Sequence, residues 1–236
     1  SGHIGAFDDY ASECNSCNSI FRSDHLLEGF HTNPDSLEGA SLDSEIELHK
    51  IPCPSCNKVD WLPAKPLNLM FSTTIGSSKI GRKAYMRPET AQGMFLQFPS
   101  IYRHFRGKLP FGAVQMGKGY RNEISPRQGM IRLREFNMAE LEYFIDPLME
   151  IEHDLNEWDS IKLKLIPDPM GDDSKEILLS VSDAVKRGII RHQTVGWFMI
   201  KTYELMTELG INSELMRFRQ HEGDEMAHYA TDCWDL

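Results

Sequence analysis

Hydrophobic and polar positions alternate most regularly between Gly119 and Asp146. Arg132, Arg134, Phe136, Glu140 and Glu142 share one parity, and Ile131, Leu133, Ala139, Leu141 and Tyr143 share the other. A period of two predicts a strand. Ser125-Pro126-Arg127-Gln128-Gly129 supplies turn chemistry, and Arg121 and Glu123 share a face of the strand before it, so the stretch predicts an antiparallel hairpin. The mostly apolar parity suits a core. The other presents two guanidiniums, an aromatic ring and two carboxylates. By parity alone such a face is most often solvated and salt-bridged. The other reading is a surface for a nucleotide and a small ammonium compound.

Elsewhere the pattern is coarser. Leu67 to Phe71 is a short apolar run, predicted as a strand, and Thr73 to Lys83 is Gly- and Ser-rich, hence a loop. Arg87-Pro88-Glu89 is predicted to open a helix, with Pro88 at its first position, Glu89 at its positive end and Pro99 interrupting it. Pro147 is predicted to end the long strand. Residues 150–159 read as an acidic, solvated face, and Pro167 to Ser174 as a loop. Ser182-Asp183 is expected to cap a short helix. A longer one runs from Thr194 to Leu209, with Val195, Phe198, Met199, Tyr203 and Met206 as its core stripe and Gly210 as its stop. Leu215 to Gln220 is predicted as a strand. His221, His228 and Cys233 have no metal-ligand spacing and read as ordinary side chains.

Composition sharpens this picture at two points. The chain of 236 residues carries a net charge of -10, which argues against a general nucleic-acid binder. Yet residues 79–134 hold twelve Lys/Arg and two Asp/Glu, leaving the remainder at -20. A basic tract inside an acidic chain predicts a local phosphate site. No apolar run reaches the length of a membrane span, and the first residues lack a signal peptide's regions, so the chain reads as soluble and cytoplasmic, with no membrane partner.

The second point is cysteine. Cys14-Asn-Ser-Cys17 and Cys53-Pro-Ser-Cys56 form two CxxC pairs. Paired CxxC turns predict four thiolates around a structural Zn2+, with no ligand position left open for catalysis. Free or redox-active turns are the alternative. The segment between the pairs, through Asn33-Pro34-Asp35-Ser36 and acidic Glu38 to Glu47, must loop back and reads as a polar excursion.

Two sets of residues carry a family resemblance. Arg121-Asn122-Glu123, the loop after it and Arg132 to Phe136 resemble motif 2 of class II aminoacyl-tRNA synthetases. Tyr85-Met-Arg-Pro-Glu-Thr-Ala-Gln-Gly93, Phe218-Arg-Gln-His221 and Glu225-Met-Ala-His-Tyr229 resemble glycyl-tRNA synthetases of the dimeric type. The resemblance covers nearly the whole chain. It implies an α+β fold: part of an antiparallel-sheet class II catalytic core, with a zinc-ribbon-like module and a helical insertion. The implied division is 1–62 for the zinc module and start of the core, 63–149 for the core with motif 2, 150–213 for a mostly helical insertion, and 214–236 for a return to the core. It also implies that motif 1, motif 3 and the anticodon-binding domain are lacking, so that the sheet lacks edge strands and these 236 residues alone are inactive or weakly active.

The implied activity is ATP-dependent activation of glycine and its transfer to tRNA(Gly), by a homodimer in its full-length form. ATP would arrive with Mg2+. By the resemblance, Arg121 holds the α-phosphate and the glycine carboxylate. Asn122 and Glu123 meet the nucleotide, Glu123 through the adenine amino group. Arg132, Leu133 and Arg134 line it, and Phe136 stacks on the base. Glu89 and Glu140 share the glycine ammonium. Arg22, in Phe21-Arg-Ser-Asp-His-Leu-Leu27, matches a substrate-binding arginine, although Ser23 stands where the family commonly has Ala. A competing reading is a synthetase-like module that binds nucleotide, tRNA or another protein without turnover.

Overall fold

The computed structural model describes residues 7–31, 34, 37–77, 80–124, 129–149, 153–167, 176–221, 223, 226 and 229–236. The chain forms two compact units, Ser1–Asp146 and Pro147–Leu236. Both mix helices with largely antiparallel strands. Among the described residues no helix is long and apolar enough to cross a membrane.

The first unit begins with a three-stranded antiparallel sheet: β1 (Asp8–Glu13) lies between β2 (Ile20–Arg22) and β3 (Lys65–Asn68). Two helices, α1 (Ser23–Leu26) and α2 (Ala40–Leu48), follow β2. Leu26, Leu27, Leu42, Ile46 and Ile51 form the local core, against which Tyr10, Phe21 and Trp61 pack. Leu42 and Ile46, one helical turn apart, therefore make α2 a core element rather than a polar excursion. Asn33, Asp35 and Ser36 lie outside the described residues. The predicted strand at 67–71 starts two residues earlier and stops at Asn68. The 73–83 stretch is a hairpin rather than a plain loop, with β4 (Ser72–Ile75) paired to β5 (Arg82–Tyr85).

Strands β6 (Phe111–Tyr120) and β7 (Glu135–Phe144) form the predicted hairpin over ten consecutive cross-strand pairs. Its apolar parity does not make a core. Val114, Met116 and Leu141 are 63, 78 and 48% exposed, while the opposite face, with Phe136, Glu140 and Glu142, is half-buried. Aromatic packing decides this. Phe111 and Phe144 lie on the same face as Phe136, and Phe98 packs on both, at 6.0 and 4.9 Å between centroids. Arg132 and Arg134 precede the strand rather than belonging to it. Ser125 to Gln128 lie outside the described residues.

Helix α3 (Ala91–His104) starts three residues later than Pro88 predicts, and it runs through Pro99 instead of stopping. Phe95 and Phe98 before the proline, and Tyr102 and Phe105 after it, join the Phe111–Phe144 aromatic cluster. That packing on both sides offsets the one backbone bond that proline removes.

In the second unit, β8 (Leu163–Ile166), β9 (Ile177–Leu179), β10 (Phe218–Gln220) and β11 (Trp234–Asp235) form a sheet in the order β11-β10-β8-β9, with β10 and β8 parallel. The 150–213 stretch, expected to be mostly helical, thus contains strands as well as helices, and its Leu163–Ile166 pairs with Phe218–Gln220. Helix α4 (Val181–Lys186) is capped by Ser180, two residues before the predicted cap, and α5 (Gln193–Glu208) matches the predicted long helix within a residue. Leu155, Leu163, Leu165, Val181, Ala184, Ile190, Met199, Ile200 and Phe218 form the core. Leu155 makes the 150–159 stretch more than a solvated face. Ser213–Leu215 is a 3-10 turn, so the last predicted strand shortens to Phe218–Gln220. Most of the Pro167–Ser174 loop, and His228, lie outside the described residues.

Gly196 is where α5 approaches α4: a Cβ there would stand 2.6 Å from Val181 Cγ1. Gly196→Val is expected to destabilise the second unit by about 1–3 kcal/mol through overpacking. Urea denaturation followed by tryptophan fluorescence reads this directly, since Trp158 and Trp197 pack against the same core.

Candidate active site and cysteine centre

Backbone geometry sets the cysteine cluster. In each CxxC turn the residue after the second cysteine is an asparagine with left-handed φ: Asn18 at 57° and Asn57 at 60°. The two turns repeat the same bonds. Cys14 N–H donates to Ser19 O and Asn18 N–H to Cys14 O; Cys53 N–H donates to Lys58 O and Asn57 N–H to Cys53 O, all at 2.8–2.9 Å. Asn tolerates this conformation best after Gly, so the doubled Cys-x-x-Cys-Asn was the sequence signal for the turn geometry. Asp60 clasps the first turn through Asn15 and Ser16. All four sulfurs lie within 4.8 Å of one another, with Cys14–Cys56 at 3.6 Å and Cys17–Cys53 at 3.7 Å. Hydrogen bonds from the Ser19 side chain and backbone draw the Cys17 thiol down to about 6.

The second centre lies at the open end of the β6–β7 hairpin. Arg121 follows β6, and its N–H donates to Arg134 O. Its guanidinium carbon sits 5.5 Å from the Phe136 ring centroid and 5.7 Å from that of Phe7. Gly119, the cross-strand partner of Phe136, makes room for that ring: a Cβ would stand 2.8 Å from it. Arg121 Nε is buried with no hydrogen-bond partner among the described residues. Arg134 donates to Glu123 O at 3.3 and 3.4 Å, and Arg132 Nε stands 3.9 Å from Glu123 Oε2. Asn122 is committed to the backbone, its N–H to Leu69 O and its side chain to Asn68 O. Leu133 is exposed. A cavity of about 870 Å3 has Asn122, Glu123, Arg134, Cys17 and Ser19 among its lining residues. That is within the range of small-ligand sites.

Arg22 does not stand open to a substrate. It pairs with Asp9 at 3.0 Å and with both carboxylate oxygens of Asp24. Burial raises the Asp9 carboxyl, Arg22 partly offsets this, and Asp24 and Glu123 raise it further.

Farther along the same face, the Arg87-Pro-Glu-Thr segment lies across the hairpin. Tyr120 N–H donates to Arg87 O, and Arg87 Nε donates to Lys118 O, both at 2.9 Å. A side chain at Gly117 would collide with that guanidinium. With its amide turned to suit its neighbours, Gln115 donates to Thr90 O at 3.2 Å and accepts from Arg87 at 3.1 Å. Glu140 Oε2 accepts from Thr90 N–H at 2.6 Å, from Ala91 N–H at 2.8 Å and from the Thr90 hydroxyl. The structure thus brings Glu89 and Glu140 into one cluster with Glu142, the second carboxylate of the parity set. Burial raises the Glu142 carboxyl, and Glu140 and Glu89 add to the effect.

The chain aligns over its full length with archaeal glycine–tRNA ligases. It is 47% identical to that of Methanocaldococcus jannaschii, 45% to that of Methanothrix thermoacetophila and 47% to that of Archaeoglobus fulgidus. It is homologous to part of the glycine–tRNA ligases. It spans 42, 40 and 40% of the lengths of those three relatives. No protein-family model matches the chain.

Within this ligase-like chain, Glu142 has a titration consequence. Folded Glu142 keeps its proton to a higher pH than the ordinary value of 4.5, so its ionisation costs stability above that window and nothing below it. Glu142→Gln is expected to raise the melting temperature of the first unit at pH 7, with the gain fading as pH falls and gone below 4.5. Thermal melts across pH 3–8, a range chosen to span the carboxylate titration, check the sign.

Proposed function

We propose that the protein carrying this chain is a glycine–tRNA ligase and that this chain holds its motif 2 centre. The carrying observation is Arg121: a cation near two aromatic rings, with a buried donor that has no partner among the described residues. Unmet buried donors are rare, and an anion would satisfy this one. The reaction that fits is attack of the glycine carboxylate on the α-phosphorus of ATP, with pyrophosphate leaving. The terminal ribose hydroxyl of tRNA(Gly) then takes the glycyl group from the adenylate, and AMP leaves. No protein nucleophile takes part, so catalysis is positioning and charge stabilisation.

Arg121 would bridge the α-phosphate and the carboxylate, since a guanidinium is planar and bidentate. Glu123, braced by Arg134 and beside Arg132, would accept from the adenine amino group, and Phe136 would carry the base plane. Asn122 and Leu133 would shape the nucleotide site rather than bond to it. Mg2+ would accompany ATP. Glu89 would receive the ammonium inside the field of Glu140 and Glu142. Arg22 would act at the edge, through its network with Asp9 and Asp24. A cytoplasmic homodimer is the assembly that this activity and the family resemblance support.

We assign Zn2+ to Cys14, Cys17, Cys53 and Cys56. A tetrahedron of zinc–sulfur bonds of about 2.3 Å has edges of about 3.8 Å, close to the sulfur spacings here. The ion would cross-link the two turns and fix that wall of the cavity.

Calorimetric titration with glycyl-sulfamoyl-adenosine, a stable mimic of glycyl-adenylate, tests the first reading. The chain should bind it more tightly than the alanyl counterpart. Arg121→Lys should weaken binding by about tenfold or more, because an ammonium cannot make the bidentate contact. Equal binding of both mimics, or an unaffected Arg121→Lys variant, would overturn it. For the metal, purified protein should contain one zinc per chain, and chelation should lower the melting temperature of the first unit. Metal-free protein with an unchanged melt would refute the site.

A further inference from the structure

The basic tract at 79–134 contains cations that the Arg121 centre does not use. Arg82 and Lys83 are exposed on β5, and neither has a carboxylate partner among the described residues. Their hairpin has only two strands, and β4 is exposed along its whole length, so burial of a core does not explain it. It is anchored instead to the strand that leads to Arg121. Phe71 packs on Tyr120 with ring centroids 6.4 Å apart, and Met86 N–H donates to Phe71 O at 2.9 Å. Met70 and Arg121 form a β-bridge, and Asn122 N–H donates to Leu69 O at 2.7 Å.

The pairs Ser72–Tyr85 and Thr74–Lys83 turn these four side chains to one face of the hairpin. Lys83 Nζ stands 5.2 Å from the Tyr85 ring centroid. Ser72, Lys83 and Tyr85 line a cleft of about 340 Å3 together with Leu67, Asn68, Met70 and Asn122. That is at the small end of ligand pockets, which run from about 300 Å3. The lining offers a cation, an aromatic ring, hydroxyls and two amides, and no carboxylate. The 870 Å3 cavity shares Leu67 and Asn122 with it, but there Glu13 and Glu123 offset Lys65 and Arg134. Of the two, the hairpin cleft is the one suited to a phosphodiester and an unpaired base.

We propose that this cleft seats one unpaired nucleotide of the tRNA acceptor end, its base on the Tyr85 ring and its phosphate at Lys83. This rests on the transfer reading above. A terminal ribose that takes the glycyl group beside Arg121 has its preceding nucleotides on the adjoining surface, and Asn122 in the cleft wall follows Arg121 directly. Lys83 is exposed and has a flexible stem, so its ammonium can leave the ring face for the phosphate as the base arrives. Every base has a π-face, so the cleft holds the strand in position and does not read its sequence.

The test uses the 236-residue chain with a hairpin RNA that ends in a single-stranded 3′ tail, beside the same hairpin with a blunt end. Fluorescence anisotropy should show the tail tightening binding by about tenfold. Tyr85→Ala should remove that gain and leave the blunt hairpin unchanged, while Tyr85→Phe should keep it. Lys83→Gln should weaken binding of the tailed RNA and lower its log–log salt slope by about 0.7, the loss of one single-strand phosphate contact. All three variants should bind glycyl-sulfamoyl-adenosine, a mimic of glycyl-adenylate, as wild type does. Equal binding of tailed and blunt RNA, or a Tyr85→Ala variant that keeps the gain, overturns the proposal. If Tyr85→Ala also loses the glycyl mimic, the ring is structural and Lys83→Gln decides: an unchanged salt slope overturns the site. Wild type that binds the glycyl mimic without gaining from the tail refutes the cleft and leaves the activation reading standing. Wild type that gains from the tail through Tyr85 but binds no glycyl mimic refutes the activation reading and leaves the cleft.

Discussion

The register of the β6–β7 ladder is the constraint on which the Arg121 centre depends. Ten cross-strand pairs place Phe136, Glu140, Glu142 and Phe144 on one face with Phe111, Gln115, Gly117 and Gly119. A slip of one residue would turn that whole set to the other side. It would remove the partners of Thr90 and the stacking plane of Arg121 together. The glycines belong to the same constraint. At 117 and 119 the absent side chains leave the space that the Arg87 guanidinium and the Phe136 ring occupy.

The ladder also separates the Arg121 cluster from Glu140 and Glu142. Arg121, Arg132 and Arg134 gather at its open end, while Glu140 and Glu142 lie four and six residues beyond Phe136 along the same face. At the usual rise, four residues are about 14 Å of strand. Cations and carboxylates that far apart do not pair directly with one another. Glu142 shows the cost of gathering like charges: its carboxyl is raised by burial, by Glu140 and by Glu89.

The cysteine turns work by a different kind of constraint. Each is set by backbone bonds within six residues and by one left-handed asparagine. The sheet and α2 then bring the two turns together across a long intervening segment, with Leu42 and Ile46 anchoring it in the core. Local geometry makes each half-site, and packing assembles them.

Short-range chemistry was therefore legible in the sequence. The paired CxxC turns, the pairing of the two strands that flank the 125–129 breaker, the long helix expected over Thr194–Leu209, and the closeness of Arg121 to Phe136 follow from residue spacing, turn propensity and literal motifs. Tertiary structure decided which face of the hairpin is covered, because the aromatic ring cluster of Phe98, Phe111 and Phe144 outweighs the apolar count on the other parity. It decided that α3 begins at Ala91 and continues through Pro99, since its first donors are met by Glu140 and its proline is flanked by packed rings. It committed Arg22 to Asp9 and Asp24. All three outcomes depend on partners distant in sequence or on competition among packing surfaces, and a one-dimensional pattern carries neither.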